Sequence, residues 1–290
     1  MLFDSSKRKN EDKPKRRPRR LVLLATVAAL LIIAGVGFFL MTPGYVPMSD
    51  VPTDKVVYVQ DAELYAVDFE TGERALTSFI GDPDAINSKK TSPDGRWQIR
   101  FELVVPHQYT NSYLVLEDLT GQEPLRSLGT FYGTDSTLSW SPDQEWVAFT
   151  AYDPNLDTSQ GGHAAEIWMI HLPTTEATRL STNTYLDSDP FFSPDGTQLA
   201  YMSAVDGYPR VYIMDVATRE SRLLTPHQYG DNPKWSPDGQ WVAFDAFYRV
   251  DENNTYTNYM NVYVVRVDGA HTQAITFGNT GHGRLIGWQS

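Results

Sequence analysis

Cysteine is absent from the 290-residue chain. Its absence excludes a disulfide framework, a thiolate nucleophile, cysteine-ligated zinc and a lipid-anchoring thiol. The six histidines (His107, His163, His171, His227, His271 and His282) show neither i, i+4 nor clustered spacing, so no histidine metal site is indicated. No Gly-x-Ser-x-Gly turn occurs, which removes the nucleophile elbow of an α/β-hydrolase. Positive charge is also scarce beyond residue 20. Residues 1–20 hold nine Lys or Arg against three acids, and the rest of the chain carries a net charge of -18. An acidic body of that kind repels a phosphate backbone, so nucleic acid is not an expected partner.

Apolar and aromatic residues are present in quantity. They make up 41% and 12% of the chain, enough for a sizeable core. One apolar run stands apart: "LVLLATVAALLIIAGVGFFLM", Leu21 to Met41, has no charged residue. At about 1.5 Å per helical residue it spans roughly 30 Å, the thickness of a bilayer core. No small-x-small cleavage site follows it, so an uncleaved anchor is predicted. The basic residues 1–20 then place the N-terminus in the cytoplasm and the acidic remainder outside. Residues 42–54, "TPGYVPMSDVPTD", carry Pro43, Pro47 and Pro52 and read as an extended spacer.

The remainder, residues 55–290, repeats itself. "TSPDGRWQIRF", "WSPDQEWVAFTA", "FSPDGTQLAYMS" and "WSPDGQWVAFDA" begin at Thr91, Trp140, Phe192 and Trp235, and their serines are separated by 49, 52 and 43 residues. A period in the forties with short apolar runs suggests an all-β propeller of four-stranded blades. In the last repeat Pro233 to Trp235 ends an inner strand and Ser236 to Gly239 turns. Gln240–Phe247, Asn261–Val267 and Gln273–Phe277 follow as the second, third and fourth strands. The stretch Arg179 to Phe244, with its leucine-threonine, Asp, Pro-x-Trp-Ser-Pro-Asp-Gly and Tyr-Ile-Met elements, resembles the TolB-like β-propeller family. The resemblance covers about residues 55 to 290, implies a bacterial envelope protein, and leaves function open, because one fold hosts many roles.

Lys55 to Thr77 supplies three strands without an inner one, and "GHGRLIGWQS" at the C-terminus supplies an inner strand without a blade. The last strand is therefore expected to complete the first blade and close a ring of five; six blades is the alternative.

Each residue of the repeated turn has a conformational task. Proline presets φ, Asp bonds the backbone two residues on, and Gly takes a positive φ. Pro93, Asp94, Gly95, Pro142, Asp143, Pro194, Asp195, Gly196, Pro237, Asp238 and Gly239 are accordingly expected to be structural, not catalytic. Gln144 replaces the glycine of the second copy, and either strains that turn or changes its type. Arg100 stands where other repeats have Phe149, Tyr201 and Phe244, and is expected to pair with an acid such as Glu102 or to yield its slot to Phe101 through a bulge.

Strand order puts these turns at one end of the blades and the variable loops at the other, where binding residues concentrate. The segments Pro106–Asn111, Tyr152–Glu166 and Tyr248–Met260 are expected as long loops. The connections between blades would place Asp84, Asp135, Asp187, Asp189 and Asp231, with Tyr132, Tyr185 and Tyr229, around one mouth of the channel. The plainer reading makes these aspartates caps on strand entry, accepting backbone N–H bonds. The functional reading makes them a grip for a cationic peptide or for Ca²⁺, the one cofactor considered. The expected function is non-catalytic binding of a protein, peptide or envelope ligand by a membrane-tethered propeller. The alternatives are a glycan-active enzyme built on a carboxylate pair and a sensor or assembly factor for another membrane protein.

Overall fold

The computed structural model describes residues 40–41, 55–60, 63–68, 72–77, 90–103, 111–132, 137–152, 165–226, 229–252, 255–276 and 283–289, all within the compact unit Leu40–Ser290. The basic residues 1–20, the linker 42–54 and nearly all of the span Leu21–Met41 lie outside them. Leu40 and Met41 correct the end of that span: they form an extended strand paired with Arg74 and Glu73, not the last turn of a helix. Among the described residues no helix is long and apolar enough to cross a membrane.

The described backbone is almost all antiparallel strand. A first group comprises β1 (Leu40–Met41), β2 (Lys55–Gln60), β3 (Glu63–Val67) and β4 (Glu73–Leu76). A second comprises β5 (Trp97–Leu103), β6 (Asn111–Asp118) and β7 (Arg126–Tyr132), entered through a bridge between Thr91 and Gln98. The third runs β8 (Leu138–Trp140), β9 (Trp146–Tyr152), β10 (Ala165–His171) and β11 (Glu176–Arg179). The fourth runs β12 (Asp187–Phe192), β13 (Gln198–Ser203), β14 (Arg210–Asp215) and β15 (Ser221–Leu223). The fifth runs β16 (Tyr229–Trp235), β17 (Trp241–Glu252), β18 (Thr255–Arg266) and β19 (Thr272–Ala274), and β20 (Arg284–Gln289) ends the chain.

The fourth and fifth groups are simple four-stranded meanders, while β20 pairs with β2 and gives the first group its inner strand. The second and third groups touch in one sheet through the single pair Tyr132 and Tyr152.

The third, fourth and fifth sheets are covered on both faces, which explains why their inner strands read as apolar runs. Val147 and Phe149 of β9 pack with Ile99, Leu114 and Leu116 of the second group, whereas Ala148 between them joins Phe192, Leu199 and Tyr201 of the fourth. The next seam joins Ala200, Val211 and Ile213 to Trp235, Val242 and Phe244. A further seam joins Trp241, Ala243 and Val264 to Val56, Tyr58 and Leu285. Burial of each such side chain stabilises by about 1.5–3 kcal/mol, so the sheets hold chiefly through these seams.

One expectation from sequence is corrected here, and of the two alternatives for Arg100 the pairing with an acid is the one found. Tyr248–Met260 is not a loop: β17 and β18 are 12 residues each and pair without interruption from Trp241 with Arg266 to Glu252 with Thr255. Its polar, Asn-rich composition disguised a hairpin. Arg100 causes no bulge, since it pairs directly with Val115, and its guanidinium meets Glu117 at 3.1 Å and Glu102 at 3.5 Å.

Candidate functional site

At the end where inner strands turn into second strands, four nearly identical turns recur. Ser236 Oγ donates to Asp238 Oδ1 at 2.6 Å and accepts the Trp241 N–H at 2.9 Å. Asp238 Oδ1 also accepts the Gln240 N–H at 3.0 Å, and the Gly239 N–H reaches the Ser236 carbonyl at 2.9 Å. Ser92 with Asp94, Ser141 with Asp143, and Ser193 with Asp195 repeat the pattern at 2.5, 2.5 and 2.6 Å. The serine hydroxyl, followed by a backbone N–H, holds the Asp94 and Asp195 carboxyls below the usual range. Gly95, Gly196 and Gly239 have φ of 74°, 74° and 71°, and Gln144 matches them at 63°. The turn type is therefore unchanged, and the side chain carries a strain of about 1 kcal/mol relative to glycine. Gln144 Oε1 gains a bond from the Asp94 N–H at 3.3 Å, tying neighbouring turns together.

These turns do more than close hairpins. Pro93, Pro142, Pro194 and Pro237 line a cavity of ≈ 450 Å³ together with Trp140, Trp235, Trp288, Phe191 and Lys234. The indoles lock adjacent inner strands: Trp235 Nε1 donates to the Phe191 carbonyl at 3.1 Å, and Trp288 Nε1 to the Lys234 carbonyl at 3.0 Å.

The opposite end gathers the acids. Asp84 and Asp135 lie outside the described residues. Asp187, Asp189 and Asp231 do not sit in connections, as expected, but inside the inner strands β12 and β16. Each of those strands shifts register after Ser188 or Asp231, at the residues with positive φ, Asp189 (55°) and Asn232 (51°). Asp and Asn tolerate that conformation better than other side chains do. The bulges turn the three aspartates to different tasks.

Asp187 is fully buried and accepts the Asn183 amide at 2.6 Å. Beside it lies Glu166, also fully buried, which takes Arg179 Nη2 at 2.7 Å and the Ser181 hydroxyl at 2.5 Å. Burial pushes both carboxyls up, against the hydrogen bonds from Ser203 and from Ser181 respectively. This pair is an internal network rather than an open site. Asp189 accepts the Thr137 hydroxyl and the Ser188 hydroxyl, both at 2.7 Å, and so joins β12 to the preceding group.

Asp231 faces Asp245 across the β16–β17 register. Burial first, then the charges of Asp245 and Asp189, push its carboxyl up to about 7, with Arg284 opposing. Asp245 is pushed up to about 6 by burial, although Asn232, the Leu285 N–H, Lys234 and Arg284 favour its charge. Its Oδ1 accepts the Leu285 N–H at 2.6 Å and its Oδ2 accepts Asn232 Nδ2 at 2.9 Å, so it clasps the C-terminal strand β20.

Aromatic side chains complete this end. Tyr132 closes β7 opposite Tyr152, and Tyr185 precedes β12; both are exposed. Tyr229, 40% exposed, stacks on Tyr208, 51% exposed, with ring centroids 4.7 Å apart and planes 12° apart. Arg210 sits over the Tyr229 ring at 5.8 Å. The segment carrying Tyr208 is held between the two strand entries, because Leu186 accepts the Ala204 N–H and Pro209 accepts the Gly230 N–H.

Tyr208, Asn232, Glu166 and Asp245 were not singled out from sequence. Tyr208 lies in "AVDGYPR", too short a segment to suggest a site, and Asp245 lies in an apolar strand where Met202 and Thr150 occupy the matching positions. Among the described residues no group of three or more His, Cys, Asp or Glu is arranged to hold a metal ion.

Four-stranded meanders packed face to face, with a shared turn at one end and aspartate-bearing bulges at the other, define a β-propeller. Residues 53–284 match the TolB beta propeller domain, and the chain belongs to that family. An uncharacterized protein of Agrobacterium fabrum is 35% identical over 198 residues, 67% of this chain and 59% of that protein. The TolB homolog of Chlorobaculum tepidum is 29% identical over 113 residues, 39% of this chain and 24% of that protein. The chain thus spans less than two thirds of either relative. A solved TolB structure from Agrobacterium tumefaciens superposes with a TM-score of 0.51 at 19% identity, covering 81% of this chain and 80% of that one, which speaks for the fold alone.

Proposed function

We propose that the protein is a membrane-tethered, extracytoplasmic propeller of five blades, closed by β20, that binds a protein or peptide partner non-catalytically at its loop-rich mouth. The observation that carries this reading is the exposed, stacked Tyr208–Tyr229 pair beside the half-buried Asp231 and Asp189. Rigid aromatic rings next to a few polar groups suit a protein interface, since they bury area at little entropic cost. The topology is compatible with tethering: β2 begins at Lys55, opposite Gln289, which is the end that carries the Ser-Pro-Asp turns. Membrane attachment itself rests on the apolar run Leu21–Met41 and the basic residues before it.

Site-specific photocrosslinking in the full chain tests the reading. A photoreactive residue at Tyr208 or Tyr229 should yield a discrete partner adduct in intact cells, and one at Thr218, on the turn end, should not. Adducts formed only from Thr218, or from none of the three positions, would overturn it.

A further inference from the structure

The seams between neighbouring Ser-Pro-Asp turns are not equivalent. Between the second and third groups Gln144 spans the gap, its Oε1 accepting the Asp94 N–H of the adjacent turn at 3.3 Å. Between the third and fourth groups the matching residue is Gly196, which has no side chain to reach across. A Cβ built there would come within 3.2 Å of Pro142 Cδ, so glycine keeps the space beside Pro142 clear. Between the fourth and fifth groups Arg222 Nη2 crosses to the Val267 carbonyl at 2.7 Å, and Gln198 stands where the preceding seam has Trp146.

The seam at Gly196 holds a cleft of ≈ 350 Å³. Met169 and Phe192, 7% and 5% exposed, form its floor, and the partly buried Trp146 and Val216 line it higher up. His171, the cross-strand neighbour of Trp146, packs against the indole with ring centroids 4.4 Å apart and holds it in place. At the rim stand Asp143 and Asp195, both exposed. The turn bonds of both carboxylates fall on Oδ1, and none of those bonds uses Oδ2. Two carboxylates thus border an apolar floor, and no lysine or arginine is among the lining residues.

A concave, mostly apolar surface with a few placed polar groups is the usual form of a small-molecule site. The rim and the acidic body, with its net charge of -18 beyond residue 20, disfavour an anion. A bare hard cation needs more oxygen ligands than two aspartates and an apolar floor supply. An organic cation suits both halves of the cleft, since an indole face attracts positive charge and the apolar part of the ligand covers the floor. We infer that the cleft between the third and fourth groups binds a small organic ammonium ion, its charge between Asp143 and Asp195 and its apolar part on Trp146, Met169 and Phe192. The site lies at the turn end, away from the mouth, and is independent of the partner reading above.

The test follows the full chain, labelled with fluorotryptophan, by fluorine NMR, with the Trp146 resonance identified as the one lost in Trp146→Phe. Phenethylammonium chloride should shift that resonance saturably, and phenethyl alcohol, its uncharged analogue, should bind about tenfold more weakly. The double change Asp143→Asn and Asp195→Asn keeps the Oδ1 acceptors of the turns and should bring the ammonium ion down to the affinity of the alcohol. Gly196→Gln sets in this seam the side chain that Gln144 sets in the preceding one, and should abolish the shift with both compounds. Equal affinity for ion and alcohol, or an ion affinity indifferent to the two Asn changes, overturns the inference, and these arms decide even if the Gly196 variant fails to fold. A Trp146 resonance that neither compound moves overturns it as well. Protein adducts at a photoreactive Thr218, close beyond Val216 in the chain, would assign the cleft to a basic side chain of a partner instead of a small molecule.

Discussion

A single aspartate shows how local sequence and three-dimensional surroundings divide the work. Asp238 and Asp231 are seven residues apart on one strand-turn unit. Asp238 was legible as a turn residue, because the neighbouring Ser, Pro and Gly each have one conformational task. Asp231 was legible only as a mouth residue. Its partner Asp245 comes from another strand, and its inward position depends on a bulge at Asn232 that leaves no pattern in the sequence. Its raised pKa carries a stability consequence. The unfolded carboxyl ionises near its ordinary value of 3.8 and the folded one near 7, so the folded state holds the proton more tightly. Stability from this group is fully present below about pH 4 and is lost as pH rises through 7, a difference on the order of 4 kcal/mol at most. Asp231→Asn should therefore be more stable than the parent at pH 8 and equal to it near pH 4. Paired urea titrations at the two pH values measure this, and a variant less stable at pH 8 would show that the charge is favourably held.

At the scale of elements, strand ends and loop lengths were less legible than the strands themselves. The inner strands β12 and β16 extend back to Asp187 and Tyr229, so segments read as connections are structured. Bulges interrupt the alternation that would have marked them, and Pro190 and Pro233 discourage a strand assignment even though they sit at those bulges. The turn was legible in every copy because its bonds are local. Ser236 tests the most buried instance. Its hydroxyl is the acceptor for the N–H of Trp241, a residue 1% exposed. Ser236→Ala leaves that N–H buried without this acceptor and should destabilise by about 1–3 kcal/mol. Ser193→Ala, whose hydroxyl serves the half-buried Gln198, should lose less. Denaturant midpoints that rank the two variants the other way would mean that water reaches the Trp241 amide.

For the whole molecule the period of the repeat was legible and the arrangement of the ends had to be inferred by matching an inner strand that lacked a blade to a blade that lacked an inner strand. The pairing of β20 with β2 joins residues more than 220 positions apart in sequence, so no local signal could reveal its register. Three kinds of contact converge on β20. Leu285 is fully buried in the seam with Trp241 and Val264, its N–H is held by Asp245, and the Trp288 indole bonds the Lys234 carbonyl. If β20 closes a five-bladed ring, damage there must be felt by sheets on both sides of it. Leu285→Ala should cost about 2–5 kcal/mol in one cooperative transition. Removal of Gly281–Ser290 should expose amides of β2 and of β16–β17 alike to hydrogen exchange. Exchange confined to β2 and β3, with the β16–β19 sheet still protected, would mean that the last strand caps one sheet without closing a ring.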